Sequence, residues 1–172
     1  YPGAIAVNDM VTQSDGKVVI VGSFSVYQGQ EAIFIARINT DGSLDTTFNI
    51  GGEHPSNAPE GIMLLPDGKF LVYGTFLTYG DRLSANGFVK LNSDGSLDDT
   101  FVPAITSGLV RSVSLQGDGK LVIGGRFTLT GGSESYLARL NADGSVDSSF
   151  APAVGGSWVF STKIQTDGKI VA

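Results

Sequence analysis

The chain has 172 residues, of which 41% are hydrophobic and 16% charged, and its formal net charge is −6. This balance is typical of a packed globule and excludes a disordered chain, while the absence of cysteine excludes disulfides and thiolate chemistry. Because the acidic surface repels phosphate groups, and because no apolar run approaches the length of a membrane span, we expect neither nucleic acid nor membrane insertion.

Two markers recur in fixed phase along the chain. Asp-Gly-Lys begins at Asp15, Asp67, Asp118 and Asp167, at intervals of 52, 51 and 49 residues. Asp-Gly-Ser, followed by Leu/Val-Asp-x-x-Phe, begins at Asp41, Asp94 and Asp143. The period predicts one segment of repeated structure over residues 1–172. Its repeats are predicted at about 1–52, 53–103 and 104–153, with a partial repeat at 154–172.

Each Asp-Gly-Lys lies between two short apolar runs, which predicts a β-hairpin with a tight turn. In the first repeat the second strand of this hairpin is predicted at residues 18–21, the third at 33–39, and a short outer fourth strand at the Leu-Asp-x-x-Phe segment. We expect the turn glycines to have positive φ or to lie in bulges: Gly16, Gly68, Gly119 and Gly168. We also expect burial of the phenylalanines at one phase of the repeat, Phe24, Phe76 and Phe127.

Four strands per repeat predict an all-β fold, a β-propeller built of four-stranded antiparallel blades, with about three and a half blades present. A solenoid of parallel coils is the alternative, but its repeats are usually shorter and the Asp-Gly hairpins favour antiparallel pairing. Closed propellers usually have four to eight blades, so we expect an incomplete ring. A longer parent chain, or two copies related by a two-fold axis, would complete it.

The ordered motif resembles the delta-60 repeat, a bacterial β-propeller repeat of large secreted and surface proteins. In the first copy it reads Asp15-Gly16-Lys17, Gly22-Ser23-Phe24, Ala36-Arg37-Ile38-Asn39 and Asp41-Gly42-Ser43-Leu44-Asp45-Thr46-Thr47-Phe48. The resemblance implies a propeller fold and an extracellular or cell-surface location. It implies no catalytic activity and no site residues.

The loop from Arg37 to Asp45 has the spacing of a calcium-binding loop, in which alternate oxygens and a glycine turn surround the ion. Arg37, Lys90 and Arg139, however, occupy the position of the first carboxylate ligand. We therefore expect a protein cation to replace the metal and to contact a carboxylate directly. Calcium is the alternative, with ligands Asn39, Asp41, Asp45, Asn92, Asp94, Asp98, Asn141, Asp143 and Asp147.

Other chemistries are poorly supported by the sequence. The aspartate pairs suggest a carboxylate hydrolase, but residues that recur in every repeat are more often structural. The Gly-Lys pairs lack the earlier glycine of a phosphate-binding loop and are interpreted as turns. His54 is the single histidine, so a Ser-His-Asp triad or a zinc site would rest on one loop residue.

Loops that differ between repeats are the expected place for function, because a propeller presents its loops on a rigid scaffold. The loop after Gly-x-Phe contains Tyr27 in one repeat, and Tyr79 and Arg82 in the next. The segments between repeats contain His54 and Trp158. These five residues are the predicted ligand contacts.

The sequence therefore predicts a protein that is not an enzyme and has no cofactor. Its variable loops would bind a protein or a carbohydrate in adhesion or recognition, at a cell surface, outside the cell or on a virion. A structural scaffold or self-assembling filament component is the alternative function, with further blades or copies of itself as partners. A carboxylate hydrolase is the third.

Overall fold

The computed structural model describes residues 6–48, 54–80, 86–152, 156 and 158–172. The described residues form β-strands, turns and loops, and none of them belongs to a helix that could span a membrane. The chain divides into two compact units, Tyr1–Asp98 and Asp99–Ala172.

The first unit contains two antiparallel three-stranded sheets and a small hairpin. The first sheet has the order β1-β2-β5 and the second the order β6-β7-β8, while β3 and β4 pair with each other. The strands are β1 Ala6–Thr12, β2 Val18–Ser23, β3 Val26–Tyr27, β4 Gln30–Glu31, β5 Ile35–Ile38, β6 Pro59–Leu64, β7 Phe70–Gly74 and β8 Phe88–Leu91.

The second unit repeats this plan with one full sheet and one hairpin. The sheet has the order β11-β10-β9, and the hairpin pairs β12 with β13. Its strands are β9 Ile105–Leu115, β10 Leu121–Leu129, β11 Glu134–Leu140, β12 Lys163–Ile164 and β13 Ile170–Val171. The all-β fold with antiparallel hairpins follows the sequence prediction.

The Asp-Gly-Lys turns are three-residue hairpin loops with a glycine bulge. Gln13 N donates to Lys17 O at 2.8 Å, and Gly16 N donates to Gln13 O at 3.0 Å. The Asp15 carboxylate accepts a hydrogen bond from Lys17 N at 3.1 Å, which fixes the turn. The φ values of 84°, 81°, 84° and 82° at Gly16, Gly68, Gly119 and Gly168 confirm the predicted positive φ.

The Asp-Gly-Ser turns have the same geometry, with Asn39 N donating to Ser43 O at 2.8 Å and Gly42 N to Asn39 O at 2.9 Å. The strand that follows is reduced to a single antiparallel residue pair, Ile38 with Leu44 in the first repeat. The equivalent pairs in the next two repeats are Leu91 with Leu97 and Leu140 with Val146. It ends there because Phe48 N donates to Asp45 O at 3.2 Å, which starts another turn. The predicted fourth strand is thus one residue pair long.

In the first unit the two sheets pack face to face. Val19 and Val21 of the first sheet lie in one buried cluster with Phe70 and Val72 of the second. The first strands are also linked, because Asn8 Nδ2 donates to Pro59 O at 2.8 Å and Ile62 N donates to Asp9 Oδ2 at 3.0 Å. Sheets stacked through their faces in this way are typical of consecutive propeller blades.

The repeated phenylalanines lie inside these layers. Phe24, Phe76 and Phe127 are 5%, 0% and 1% exposed, which confirms the predicted burial and the strand register.

Candidate functional site

The aspartate of Leu-Asp-x-x-Phe is the centre of an ion-pair cluster, which we define in the first repeat as Lys17, Arg37 and Asp45. Asp45 Oδ2 accepts from Lys17 Nζ at 2.7 Å and from Arg37 Nε at 2.8 Å. Asp45 Oδ1 accepts from Thr47 Oγ1 at 2.6 Å and from Thr47 N at 3.0 Å. Because Asp45 is only 5% exposed and makes four hydrogen bonds, its carboxylate is fully used inside the protein.

The cluster recurs in the other repeats. Asp147 Oδ2 accepts from Lys120 Nζ at 2.7 Å and from Arg139 Nε at 2.8 Å. Asp98 Oδ2 accepts from Lys69 Nζ at 2.8 Å. The lysine of Asp-Gly-Lys is therefore paired with the aspartate of Leu/Val-Asp-x-x-Phe in the same repeat. This pairing explains why the two markers keep a fixed phase.

Two of the clusters also reach the phenylalanine that ends their motif. The Arg37 guanidinium lies 4.7 Å from the centre of the Phe48 ring, and the Arg139 guanidinium lies 4.8 Å from that of Phe150. Phe48 in turn packs edge to face on Phe70 of the second sheet, with ring centres 6.0 Å apart. The cluster thus joins neighbouring sheets of the first unit.

The cluster occupies the position at which the loop spacing predicts a possible calcium ion. The predicted contact between the Arg37 guanidinium and a carboxylate is present at Asp45. Asp41 Oδ1 instead accepts from Ser43 Oγ at 2.6 Å and from Ser43 N at 2.9 Å, within its own turn. Among the described residues no three His, Asp or Glu side chains are grouped to hold a metal.

We predict that calcium does not stabilise the protein. The guanidinium and ammonium groups already neutralise Asp45 and Asp147, so a bound ion would have to displace them. Melting temperatures measured in millimolar calcium and in a chelator should agree within about 1 °C. A rise of several degrees with calcium would contradict the structural role of the cluster.

The clusters also predict acid sensitivity. Hydrogen bonds from Lys120, Ser149 and Arg139 hold the pKa of Asp147 well below its usual range. Burial alone would raise the pKa of Asp45, but the bonds from Lys17, Thr47 and Arg37 outweigh it and lower the pKa.

Because both pKa values are lower in the folded chain, the unfolded chain takes up protons first as the pH falls below about 5. The stabilisation is complete above that pH and is lost progressively towards the folded-state pKa values. Urea midpoints measured at pH 7, 5, 4 and 3 should be nearly constant down to pH 5 and then fall. A midpoint at pH 3 equal to that at pH 7 would contradict this prediction.

Tyr27 and its loop form the β3–β4 hairpin. The Tyr27 hydroxyl donates to Gly42 O at 2.9 Å, and the residue is half-buried. Tyr27, a predicted ligand contact, therefore anchors this hairpin on the Asp-Gly-Ser turn of its own repeat through its hydroxyl.

Tyr79 is in the core. It is 0% exposed and contacts Phe76 edge to face, with ring centres 6.3 Å apart. The cause is the segment between repeats, since Pro55 pairs with Tyr79 and Ser56 N donates to Thr78 O at 2.9 Å. This burial removes Tyr79 from the predicted contact surface.

Of the two remaining predicted contact residues in the first unit, the structure describes His54 but not Arg82. His54 is half-buried, packs edge to face on Phe34 with ring centres 6.2 Å apart, and lines a cleft of about 360 Å³ beside the first ion-pair cluster. The Asp45 carboxylate in that cleft has no unused oxygen to offer to a ligand. Arg82 lies outside the described residues.

Trp158, another predicted contact residue, is half-buried and lies beside an exposed aromatic ring. It lines a cleft of about 330 Å³ in the second unit, together with Ser107, Arg126 and Glu134. Its ring is stacked on that of Phe160 with centres 6.2 Å apart, and Phe160 is 69% exposed. We call Arg126, Glu134, Trp158 and Phe160 the aromatic surface.

Charged groups surround the rings of this surface. Arg126 Nε donates to Glu134 Oε1 at 2.7 Å, with the two side chains 53% and 49% exposed. The Tyr136 hydroxyl donates to Glu134 Oε2 at 3.1 Å. The Arg111 guanidinium lies 5.5 Å from the centre of the Trp158 ring. Arg111 is the extra residue of a β-bulge in β9, and bulges commonly re-aim a side chain at a site.

Sequence reasoning missed Lys17, Lys69 and Lys120, which were interpreted as turn residues. The signal that could have found them is the residue after each Asp-Gly. It is lysine in the first marker of every repeat and serine in the second. It also missed Arg126, Glu134 and Phe160. Phe160 could have been found from the Trp-Val-Phe alternation, which places Trp158 and Phe160 on one side of an extended segment.

Repeated antiparallel sheets of this kind, with paired Asp-Gly turns, define a β-propeller repeat protein. The family model described as "Domain of unknown function (DUF5122) beta-propeller" matches residues 13–48, 65–101 and 116–150, and the chain belongs to this family. Each matched segment begins at an Asp-Gly-Lys turn and ends at the phenylalanine of Leu/Val-Asp-x-x-Phe, so it contains one ion-pair cluster. Trp158 and Phe160 lie outside the matched segments.

One of three similar solved structures supports the fold. Selenomethionine-substituted virginiamycin B lyase from Staphylococcus aureus is 14% identical over 94% of this chain and 46% of that chain, with a TM-score of 0.51. A catalytically inactive form of that lyase with quinupristin is 13% identical over the same shares, with a TM-score of 0.49. A protein of unknown function from Bacteroides caccae is 16% identical over 80% of this chain and 46% of that chain, with a TM-score of 0.45.

This chain therefore spans less than half the length of each of these structures. At 14% identity, the likeness to the first of these structures shows the fold alone. No curated protein sequence matches the chain.

Proposed function

We propose that this chain is a non-catalytic recognition module that binds its partner, a protein or a glycan, through the aromatic surface. The observation that carries the proposal is Phe160, a residue that is 69% exposed and whose ring stacks on that of Trp158, which lines a cleft. Burying a large exposed aromatic ring is a major source of binding energy, and such residues are enriched at binding sites.

The division between repeated and unrepeated residues supports this assignment. The repeated aspartates, lysines and arginines satisfy one another in the ion-pair clusters, which leaves them little capacity for a ligand. Trp158 and Phe160 are not part of the family motif. Function on a repeat scaffold is expected where the repeats differ.

The resemblance to the delta-60 repeat supports an extracellular or cell-surface location for this module. Adhesion or recognition at such a surface would use a solvent-facing site of this kind. The lyase named above is an enzyme, but the proposed activity of this chain is binding.

A structural scaffold is the second candidate function. The observation that favours it is strand β1, which lies at a sheet edge and exposes Val7 and Met10. Exposed apolar edges favour pairing with another strand. Sedimentation velocity over a hundredfold concentration range distinguishes the two, because a scaffold should self-associate and a recognition module should not.

We predict that Phe160→Ala weakens partner binding at least about tenfold, the effect of losing a well-packed aromatic contact. The partner is first identified by screening the module against a glycan array and a panel of extracellular proteins. Val102→Ala is the matched control, because Val102 is also an exposed apolar residue of the second unit. Its affinity should equal that of the unchanged chain, as should the melting temperatures of both variants. Partner binding that Phe160→Ala leaves unchanged would refute the site.

A further inference from the structure

We infer that the ligand of the aromatic surface is a neutral oligosaccharide, an inference that rests on the proposed recognition function. The observations are the placement of a mixed-charge pair beside two stacked aromatic rings and the small size of the adjoining cleft. The charged pair disfavours ionic ligands, and the limited area of the rings and cleft disfavours a protein.

The mixed-charge pair offers both hydrogen-bond donors and acceptors. Arg126 uses Nε for Glu134, and its two terminal nitrogens make no hydrogen bond within the described part of the chain. Each Glu134 oxygen accepts one bond, from Arg126 or from Tyr136, and keeps one lone pair. A hydroxyl group both donates and accepts, so neighbouring hydroxyls of a sugar ring match this pair.

The local charges disfavour ionic ligands. An anion at Arg126 would lie against the Glu134 carboxylate, on a chain whose net charge is −6. A cation at Glu134 would lie against Arg126, and one on the Trp158 ring would meet the Arg111 guanidinium. Like charges in such positions cost binding energy, whereas a neutral ligand pays no such cost.

The stacked rings match the apolar side of a sugar. A pyranose ring has a face made of C–H groups. When this face packs flat on an aromatic ring, both apolar surfaces are removed from water. The exposed ring of Phe160, supported by Trp158, is a surface of that shape. The same rings would not by themselves form a stable protein interface, which buries about 800 Å² per partner.

The cleft has the size of a small-ligand site. Its volume of about 330 Å³ lies at the lower end of the range for such sites, which begins at about 300 Å³. Trp158, Arg126 and Glu134 all line it. One sugar ring in the cleft would therefore meet the charged pair, with the next ring of the chain placed to stack on Phe160.

Trp158 is the single tryptophan of the chain, so its fluorescence reports on this site alone. The test is a fluorescence titration with neutral hexasaccharides of glucose and of mannose in several linkages, beside uronic-acid and sulfated oligosaccharides. We expect at least one neutral hexasaccharide to change the Trp158 emission saturably. Phe160→Ala should weaken that binding about tenfold or more, Glu134→Gln should weaken it severalfold, and Val102→Ala should leave it unchanged.

The other outcomes separate this inference from the proposed function. Binding of charged oligosaccharides alone, or of a protein from the panel in a Phe160-dependent way with no neutral glycan bound, overturns the inference and leaves the recognition function standing. No binding in either screen overturns both. Neutral glycan binding that survives Phe160→Ala and Glu134→Gln places the ligand elsewhere and also overturns the inference.

Discussion

Replacing Phe76 by alanine should lower the free energy of unfolding by about 3–5 kcal/mol, as for other fully buried phenylalanines. Phe76 is 0% exposed and contacts the equally buried Tyr79. It lies in the cluster that joins the two sheets of the first unit, which includes Val72 and Phe70. The truncation therefore loses the burial of the ring and leaves a cavity that these rigid sheets cannot close.

Urea unfolding followed by far-ultraviolet circular dichroism measures this loss. Leu77→Ala is the matched control, because the neighbouring Leu77 side chain is exposed. Its effect should stay within about 0.5 kcal/mol. A loss below about 1 kcal/mol for Phe76→Ala would mean that the side chain is not in a packed core.

Replacing Asp45 by alanine should cost about 2–3 kcal/mol, because it leaves two cations without their carboxylate. Arg37 is largely buried, with its side chain 11% exposed, so its unpaired charge carries most of the cost. Lys17 is 30% exposed and can turn to water, which keeps the effect below the 3–5 kcal/mol of a fully buried pair. The measurement is again urea unfolding at pH 7.

A double-mutant cycle separates the ion pair from other effects. Arg37→Met combined with Asp45→Ala should recover part of the stability that Asp45→Ala loses, since the unpaired buried charge is then absent. Glu31→Ala, which removes an exposed carboxylate of the first unit, should change stability by no more than about 0.5 kcal/mol. If Asp45→Ala behaves like Glu31→Ala, the cluster does not stabilise the fold.

The hairpins and their register could be predicted because they depend on local chemistry. A three-residue loop needs its last residue at positive φ, and Gly16 at 84° supplies it in the first repeat. The apolar runs on either side then determine which residues face inward, so the burial of Phe24 followed from the pattern. The fourth strand was overestimated because its length depends on the turn that starts at Asp45.

The burial and contacts of the loop residues could not be predicted, because they depend on partners that are distant in the sequence. Tyr27 and Tyr79 occupy the same loop in successive repeats, yet Tyr27 bonds to Gly42 O while Tyr79 enters the core. The difference comes from Pro55, which pairs with Tyr79 from a segment more than twenty residues away. Loop sequences alone do not show such pairings.

The ion-pair cluster was predicted in part. Arg37 lies within the same motif as Asp45, so their contact followed from the spacing of one loop. Lys17 is 28 residues from Asp45 in the sequence and reaches it only because the sheet brings two turns together. The aromatic surface depends in the same way on contacts between β10, β11 and the segment of Trp158.

The repeated residues stabilise the fold, and the proposed role of the aromatic surface is to contact the ligand. The most direct test is a two-dimensional ¹H–¹⁵N spectrum of the module recorded during titration with the neutral hexasaccharide that binds best. The single indole signal of Trp158 and the amides of Phe160 and Glu134 should shift most, while those of Lys17, Arg37 and Asp45 should not move. Shifts centred on the ion-pair cluster residues, with the indole signal unchanged, would contradict the claim.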